Sequence, residues 1–315
     1  MSYVWPQDVF SAIEKGEISA TQGLKYFSEM DNSEASSTKI HHSQKRIDEI
    51  LHELDNLIGL SEVKKIVREI YAFIEIQRRR EQEKLNTEPL VLHMIFKGNP
   101  GTGKTTVARI MSKFFCEIGV LSRGHLIEVE RADLVGEYIG HTAQKTREQL
   151  KKAYGGILFI DEAYSLARGG EKDFGKESID VLVKAMEDHK NELILILAGY
   201  QKEMEGFLET NPGLRSRFPI HIDFPDYNQK ELMRIAERMF LSRQYSLSAD
   251  TQSALLKILL SHQNSVAENF GNARTVRNII EKAIRRQAVR LMAKASTTRQ
   301  ELMTIEPADL LEVKQ

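Results

Sequence analysis

Residues 98–105 read Gly-Asn-Pro-Gly-Thr-Gly-Lys-Thr, and residues of these types at this spacing suit the holding of a polyphosphate. The glycines let backbone N–H groups turn toward an anion. A helix starting at Lys104 adds the partial positive charge of its N-terminus. The Lys104 ammonium is placed to reach the terminal phosphates and the Thr105 hydroxyl to hold Mg2+. Gly98, Asn99, Pro100, Gly101, Thr102, Gly103, Lys104, Thr105 and the adjoining Thr106 are therefore expected to bind ATP, with Mg2+ as its counter-ion.

A second group follows four apolar residues, Ile157–Ile160, which end abruptly in Asp161-Glu162. Ligands of an open α/β sheet sit at the carboxyl ends of its strands. Asp161 there is expected to orient Mg2+, and Glu162 to draw a proton from an attacking water. A kinase could use the same loop, but adjacent carboxylates favour water as the acceptor, so the expected reaction is hydrolysis of ATP to ADP and phosphate.

These groups need a scaffold, and the apolar pattern supplies one. Strands are expected at Leu90–Lys97, His125–Glu130, Gly156–Ile160, Glu192–Ala198 and Ile220–Asp223, and helices at Lys104–Ile118, Ala143–Tyr154 and Glu177–His189. Near-continuous apolar strands separated by helices imply a parallel sheet covered on both faces. Beyond Asn228 only helical periodicity remains, so a small all-helical domain is expected to follow. Ser61 reads as the N-cap of a long helix whose far end carries Arg78-Arg79-Arg80, cations that suit a helix C-terminus. Residues 1–30 read as a helical hairpin, 31–44 as a polar linker, 45–226 as the α/β domain with its leading helices, and 227–315 as the helical domain.

Composition narrows the class. The 315 residues carry 44 Lys+Arg against 45 Asp+Glu, a formal charge of −1, with 41% hydrophobic residues. That excludes a collagen-like or wholly disordered chain, and it shows no basic excess of the kind a nucleic-acid footprint leaves. The single cysteine, Cys116, cannot form an intrachain disulfide and reads as a half-buried, inert thiol, which fits a reducing compartment. His41-His42 lacks companions for a metal site. No apolar run approaches membrane-spanning length and the start lacks a signal-peptide pattern, so a cytoplasmic protein without membrane contact is expected.

Further motifs give the chain a resemblance. It reads Leu57-Ile-Gly-Leu60, then the phosphate loop, Asp133-Leu-Val-Gly-Glu-Tyr-Ile-Gly-His-Thr142 and Asp161-Glu-Ala-Tyr-Ser-Leu166. Ala198-Gly-Tyr200, Asn211-Pro-Gly-Leu-Arg-Ser-Arg-Phe218 and Gly271-Asn-Ala-Arg274 follow in order. Over about residues 50–310 this resembles the AAA+ ATPases, P-loop NTPases with a helical lid, and among them the CbxX/CfxQ family that includes Rubisco-activase-type proteins. Within that family it is most similar to the members from endospore-forming bacteria, which implies a role in sporulation.

The resemblance implies roles residue by residue. Ile58 and Gly59 match the adenine-contacting position, although a turn with a core isoleucine explains them equally well. Arg217, with Arg215 as second candidate, matches an arginine finger directed at a neighbouring subunit's γ-phosphate. Arg274 matches the lid arginine that senses the nucleotide. The usual water-orienting Asn after the Asp-Glu strand is replaced here by Tyr200.

The resemblance further implies a homo-oligomeric ring, a hexamer as in the family. Tyr138, Ile139 and Gly140 match an aromatic pore loop that grips extended polypeptide. The loop Arg168–Gly175, with Phe174, is either a second pore element or a plain surface loop. The expected function is thus ATP-driven remodelling of a protein client, the N-terminal hairpin being either a dock or a packed appendage. A nucleic-acid motor or loader needs basic pore loops that are missing here, so no nucleic acid is expected. A nucleotide-gated scaffold of low turnover is the third alternative, kept open by Tyr200.

Overall fold

A computed structural model describes residue 22 and residues 44–87, 90–138, 140–168, 174–190, 192–210, 212–265 and 270–310. Contacts divide the chain after His52, and of the first unit Gln22 and residues 44–52 are described, all helical. Apart from Gln22 and Gln44, the expected hairpin and linker, with His41-His42, lie outside the described residues.

After a helix at 44–55 (α1), the elements run α2 (Ser61–Gln82), β1 (Met94–Gly98), α3 (Lys104–Glu117), β2 (Leu126–Val129), α4 (Arg131–Leu134), α5 (His141–Ala153) and β3 (Ile157–Ile160). There follow a 3-10 turn (Ala163–Ala167), α6 (Gly175–Asp188), β4 (Ile194–Gly199), α7 (Gln201–Thr210), α8 (Pro212–Arg217) and β5 (Ile220–Phe224). The first helix of this unit, α2, buries Val63, Val67, Ile70 and Ile74, a stripe at helical spacing. Its N-cap is Leu60, in the left-handed region at φ 58°, and not Ser61, which is the first helical residue. Arg79 and Arg80 do occupy its last turn, and Arg80 donates to the Asn86 carbonyl at 3.0 Å.

All five strands are parallel, in the order β2-β3-β4-β1-β5, so β4 lies between the strand of the phosphate loop and the strand of the acidic pair. Alternation sends Ile95, Leu158, Ile160, Leu195 and Leu197 to one face, in one cluster with Leu182, Met186, Phe207 and Phe218. Phe96, Phe159 and Phe224 join on the other face, with ring centroids of Phe96 at 6.4 Å from Phe159 and 5.0 Å from Phe224. β1 begins at Met94 and not Leu90, because Leu90–His93 run ahead of the paired register.

His93 sits just before β1, only 3% exposed, and its Nδ1 accepts the Leu195 N–H at 3.0 Å. Burial holds its pKa down at about 4. The unfolded chain takes up a proton there near pH 6.5 and the folded chain only near 4, so stability falls as pH falls through that window and the loss ends below it. Over this interval His93 is expected to account for a loss of roughly 3 kcal/mol. Denaturant titrations from pH 7 to 4 should show a shallower decline in His93→Gln, and equal slopes would refute the assignment.

Beyond β5 come α9 (Gln229–Ser242), α10 (Ala249–Ser265), α11 (Asn272–Met292), α12 (Arg299–Met303) and α13 (Pro307–Leu310). A capping box starts α9, with the Asn228 side chain accepting from the Glu231 N–H at 3.0 Å and Glu231 accepting the Asn228 N–H at 2.8 Å. The region is not purely helical. Two-residue strands β6 (Ser246–Leu247) and β7 (Thr304–Ile305) pair in parallel, too short for any periodicity to reveal them. Buried Gln287 secures that corner by donating to the carbonyls of Glu301, Leu302 and Thr304 at 2.9–3.1 Å. Among the described residues no helix is long and apolar enough to cross a membrane.

Candidate active site

The phosphate loop leaves β1 at Gly98 and enters α3 at Lys104. Lys104 is 9% exposed, and its Nζ donates to the carbonyls of Gly98 at 2.7 Å and Asn99 at 2.9 Å. Burial pulls its pKa down to about 8, against the favourable charge of Asp161, while Arg274 pushes in the same direction as burial. A desolvated ammonium resting on two neutral carbonyls, at the N-terminus of a fourteen-residue helix, is a site that gains from a polyanion. Gly101, at φ 72°, is required twice over, since a Cβ there would meet the Gly271 carbonyl at 2.4 Å.

Asp161 and Glu162 follow β3, and the Glu162 N–H is bonded to Asp161 Oδ1 at 3.0 Å. Glu162 has φ 48°, a left-handed turn that stops the strand and leaves its exposed carboxylate on the cavity wall. Tyr200 follows β4 and, because β4 lies between β1 and β3, borders the same cavity. Its ring leans on Tyr164 with centroids 5.9 Å apart, and Arg168 lies over the Tyr164 ring at 4.7 Å. Burial, and next the charge of Glu162, raise both phenol pKa values, that of Tyr164 to about 12. A phenol in the hydrogen-bonding form therefore stands beside the acidic pair.

The cavity measures about 560 Å³. It gathers Ile58, Pro100, Gly101, Gly103, Lys104, Thr105, Thr106, Asp161, Glu162 and Arg274 from the sequence-predicted residues. Gly59, Gly98, Asn99 and Thr102 do not line it. Gly59 shapes the preceding turn at φ 67°, and Thr102 is wholly buried with its hydroxyl bonded to the Asn99 carbonyl at 2.8 Å. Sequence reasoning named Ile58 but missed Leu57 beside it and Ile235 and Met239 of α9, which line the same cavity. The 235/239 spacing looked like ordinary helix core. Lys64 fixes that turn by donating to the Leu57 carbonyl at 2.6 Å. Arg277 also lines the cavity, one turn after Arg274 on α11, and that spacing is the signal that could have found it.

Apolar Leu57, Ile58, Ile235 and Met239, a cationic loop and two carboxylates around one cavity suit a nucleoside triphosphate. The Thr105 hydroxyl and Asp161 carboxylate are few and hard donors, as fits Mg2+ that is bound largely through phosphate oxygens and water.

Two predicted groups stand away from this cavity. Tyr138 is 66% exposed, in the loop between α4 and α5, with its ring edge-on to His141 at 5.5 Å. The loop base is stapled where the Gly136 N–H donates to the buried Thr142 hydroxyl at 2.9 Å. Gly136 is needed for that closeness, since a Cβ would fall 2.5 Å from that of His141. Ile139 lies outside the described residues, as do residues 169–173 of the second loop, whose Phe174 is half-buried. Arg217 is bound within the chain, with Nε and Nη2 donating to Glu187 Oε1 at 3.0 and 2.7 Å. Arg215 is exposed. Cys116 is a half-buried free thiol.

Comparison with known proteins agrees with this architecture. The model of the ATPase family associated with various cellular activities (AAA) matches residues 94–226, and the AAA lid domain matches 228–315. Stage V sporulation protein K of Bacillus subtilis is 58% identical over 263 residues, covering 83% of this chain and 82% of that protein. Protein CbbX of Cereibacter sphaeroides is 47% identical over 250 residues, 79% of this chain and 80% of its own. Protein CfxQ of Xanthobacter flavus is 46% identical over 271 residues, with 85% of each chain covered. Among solved structures the FIGL-1 AAA domain superposes with a TM-score of 0.56 at 16% identity, covering 81% of this chain and 80% of that one. A RuvB variant of Thermotoga maritima gives 0.53 at 20% identity, over 82% and 70%, a likeness of fold alone.

Proposed function

Because the chain belongs to the AAA family of ATPases, of the CfxQ, CbbX and stage V sporulation protein K type, we propose that it is a cytoplasmic ATP-driven remodeller of polypeptides working as a homo-oligomeric ring. The observation that carries the remodelling reading is the exposure of Tyr138 on a loop with a stapled base. An aromatic ring held in water at a defined place costs hydrophobic free energy, and gripping extended chain of any sequence is a use that explains it. Similarity to the sporulation protein supports a task in spore formation, and the ring reading, a hexamer, supplies the neighbour that Arg217 needs.

Each residue's task follows from its place. Lys104, already desolvated, exchanges two carbonyls for phosphate oxygens. Mg2+, held by Thr105 and Asp161, supplies charge neutralisation on the phosphates when bound. Glu162 accepts the proton of the attacking water, and Tyr200, in the position where Asn is usual, is placed to orient that water. Leu57, Ile58, Ile235 and Met239 enclose the base, while Arg274 joins the lid to the phosphates.

Adding an unfolded polypeptide should raise ATP turnover several-fold, and duplex or single-stranded DNA should not. In Tyr138→Ala the stimulation should disappear. Stimulation by DNA alone would overturn the polypeptide reading, and full stimulation of Tyr138→Ala would remove the loop from it.

A further inference from the structure

Five consecutive carbonyls of the phosphate loop, those of residues 98–102, are each taken by a specific donor. Two are served from within the loop, since Lys104 Nζ donates to Gly98 and Asn99, and Thr102 Oγ1 also donates to Asn99. The next three are served from the hinge and lid. Asn272 Nδ2 reaches the Pro100 carbonyl at 3.4 Å, the Ala273 N–H donates to Gly101 at 3.2 Å, and the Tyr227 hydroxyl donates to Thr102 at 3.0 Å.

This arrangement matters because a loop whose carbonyls are each held by a donor keeps one backbone shape, with its N–H groups available to an anion. When ATP enters, Lys104 must leave Gly98 and Asn99 for the phosphates. The hinge and lid donors then become the ones that keep the loop in its anion-binding shape.

Asn272 is the centre of that second set. It is 0% exposed, sits in the left-handed region at φ 45° and opens α11 two residues before Arg274. Its Oδ1 accepts the Tyr227 N–H at 2.9 Å, and its Nδ2 donates to Asp226 Oδ1 at 2.7 Å and to the Phe270 carbonyl at 2.9 Å. Asp226 in turn accepts from Asn99 Nδ2, 3.0 Å to each carboxylate oxygen. One carboxylate thus ties the loop's second residue to the first residue of the lid helix. A buried side chain in an uncommon backbone region, with its amide wholly engaged, is over-determined by its surroundings.

We propose that Asn272 is a positioning residue for nucleotide binding, acting through Asp226 and Asn99 to hold the phosphate loop in its binding shape and to tie the lid to it independently of Arg274. The proposal rests on the phosphate loop being the nucleotide site. It differs from the Arg274 role in touching no phosphate. Its effect falls on affinity and KM more than on kcat.

The test is titration of the full chain with a fluorescent ADP analogue, beside steady-state ATP hydrolysis. Asn272→Asp sets two carboxylates against each other where a 2.7 Å hydrogen bond stood, and should weaken the analogue by about tenfold or more, with KM for ATP rising more than kcat falls. Adding Asp226→Asn in the same chain restores a donor and acceptor in swapped order, and the amide oxygen that this second change leaves in place still accepts from Asn99. Affinity should recover in part, by about threefold or more over the single variant, since the 226–272 bond returns while the Phe270 and Pro100 carbonyls stay without their amide donor, and mere loss of packing allows no such gain. Asn99→Ala removes the loop end of the link without touching buried structure and should weaken binding about threefold or more. Parent-like affinity in a folded Asn272→Asp, or a double variant as weak as the single one, overturns the proposal. Should Asn272→Asp not fold, parent-like affinity in Asn99→Ala overturns it. Failure of the parent chain itself to bind the analogue would instead overturn the phosphate-loop assignment.

Discussion

Glu162→Gln should lower ATP turnover by roughly a hundred- to ten-thousand-fold, the range a positioned general base contributes. Gln keeps the size and hydrogen-bonding reach of Glu but cannot take a proton. The left-handed turn at φ 48° and the bond from its own N–H to Asp161 Oδ1 do not depend on the side-chain charge, so the site's shape should persist. Nucleotide binding should therefore survive, since Lys104 and the loop are untouched. One carboxylate fewer near Lys104 slightly shifts the charge balance in favour of a bound polyanion. Measurement of phosphate release beside retention of labelled ATP checks both halves. Turnover within tenfold of the parent would falsify the general-base assignment, whereas loss of binding would move Glu162 to a structural task. A variant that holds ATP without hydrolysing it would also be the form with which to test for a client.

Much of this site was legible because its parts are contiguous. The loop at 98–105 and the pair at 161–162 each carry their chemistry within a few residues, and the strand or helix beside each is strongly apolar. What stayed hidden depends on strand order and distant pairing. Tyr200 could be seen to end a strand, but only the placement of β4 between β1 and β3 brings it to the acidic pair. The Asn99–Asp226–Asn272 link joins residues 127 and 46 positions apart, and nothing local to any of the three points to the other two. The α9 wall of the cavity was hidden for another reason. Ile235 and Met239 repeat at a spacing that any core-facing helix shows, and nothing in the pattern tells a helix facing core from one facing a ligand. Leu60 displaced Ser61 as the N-cap because the turn that presents Leu57 and Ile58 demands a left-handed residue at that point, whatever the capping preference.

Arg217→Ala should lower turnover by roughly a thousandfold or more, the magnitude attached to arginine fingers supplied by a neighbour. Within the chain the Arg217 guanidinium is held at the surface by Glu187 and by the Gly213 carbonyl, to which its Nη1 donates at 2.9 Å, with its side chain 37% exposed and that of Glu187 59%. An ion pair so exposed is worth at most about 1 kcal/mol and the Gly213 bond about as much again, less than the roughly 4 kcal/mol of transition-state stabilisation that a thousandfold in rate represents. The backbone that presents Arg217 does not share this freedom. Leu214 and Phe218 on either side are buried in the main cluster, with the Phe218 ring 5.9 Å from His93. A firmly anchored backbone with a guanidinium held only by exposed partners suits a group that acts across an interface. Arg215→Ala should cost much less.

The in-trans role makes a stronger prediction than either loss. Glu162 and Arg217 of one active site would come from different subunits, as a heterologous ring interface requires. An equimolar mixture of Arg217→Ala and Glu162→Gln subunits then contains, in about a quarter of its sites, an intact Glu162 facing an intact Arg217. Two nearly inactive proteins should therefore regain about a quarter of parental turnover on mixing and subunit exchange, under random assembly and independent sites. If Arg217 serves its own subunit's nucleotide, no mixed site contains both groups, and the mixture stays as inactive as its components.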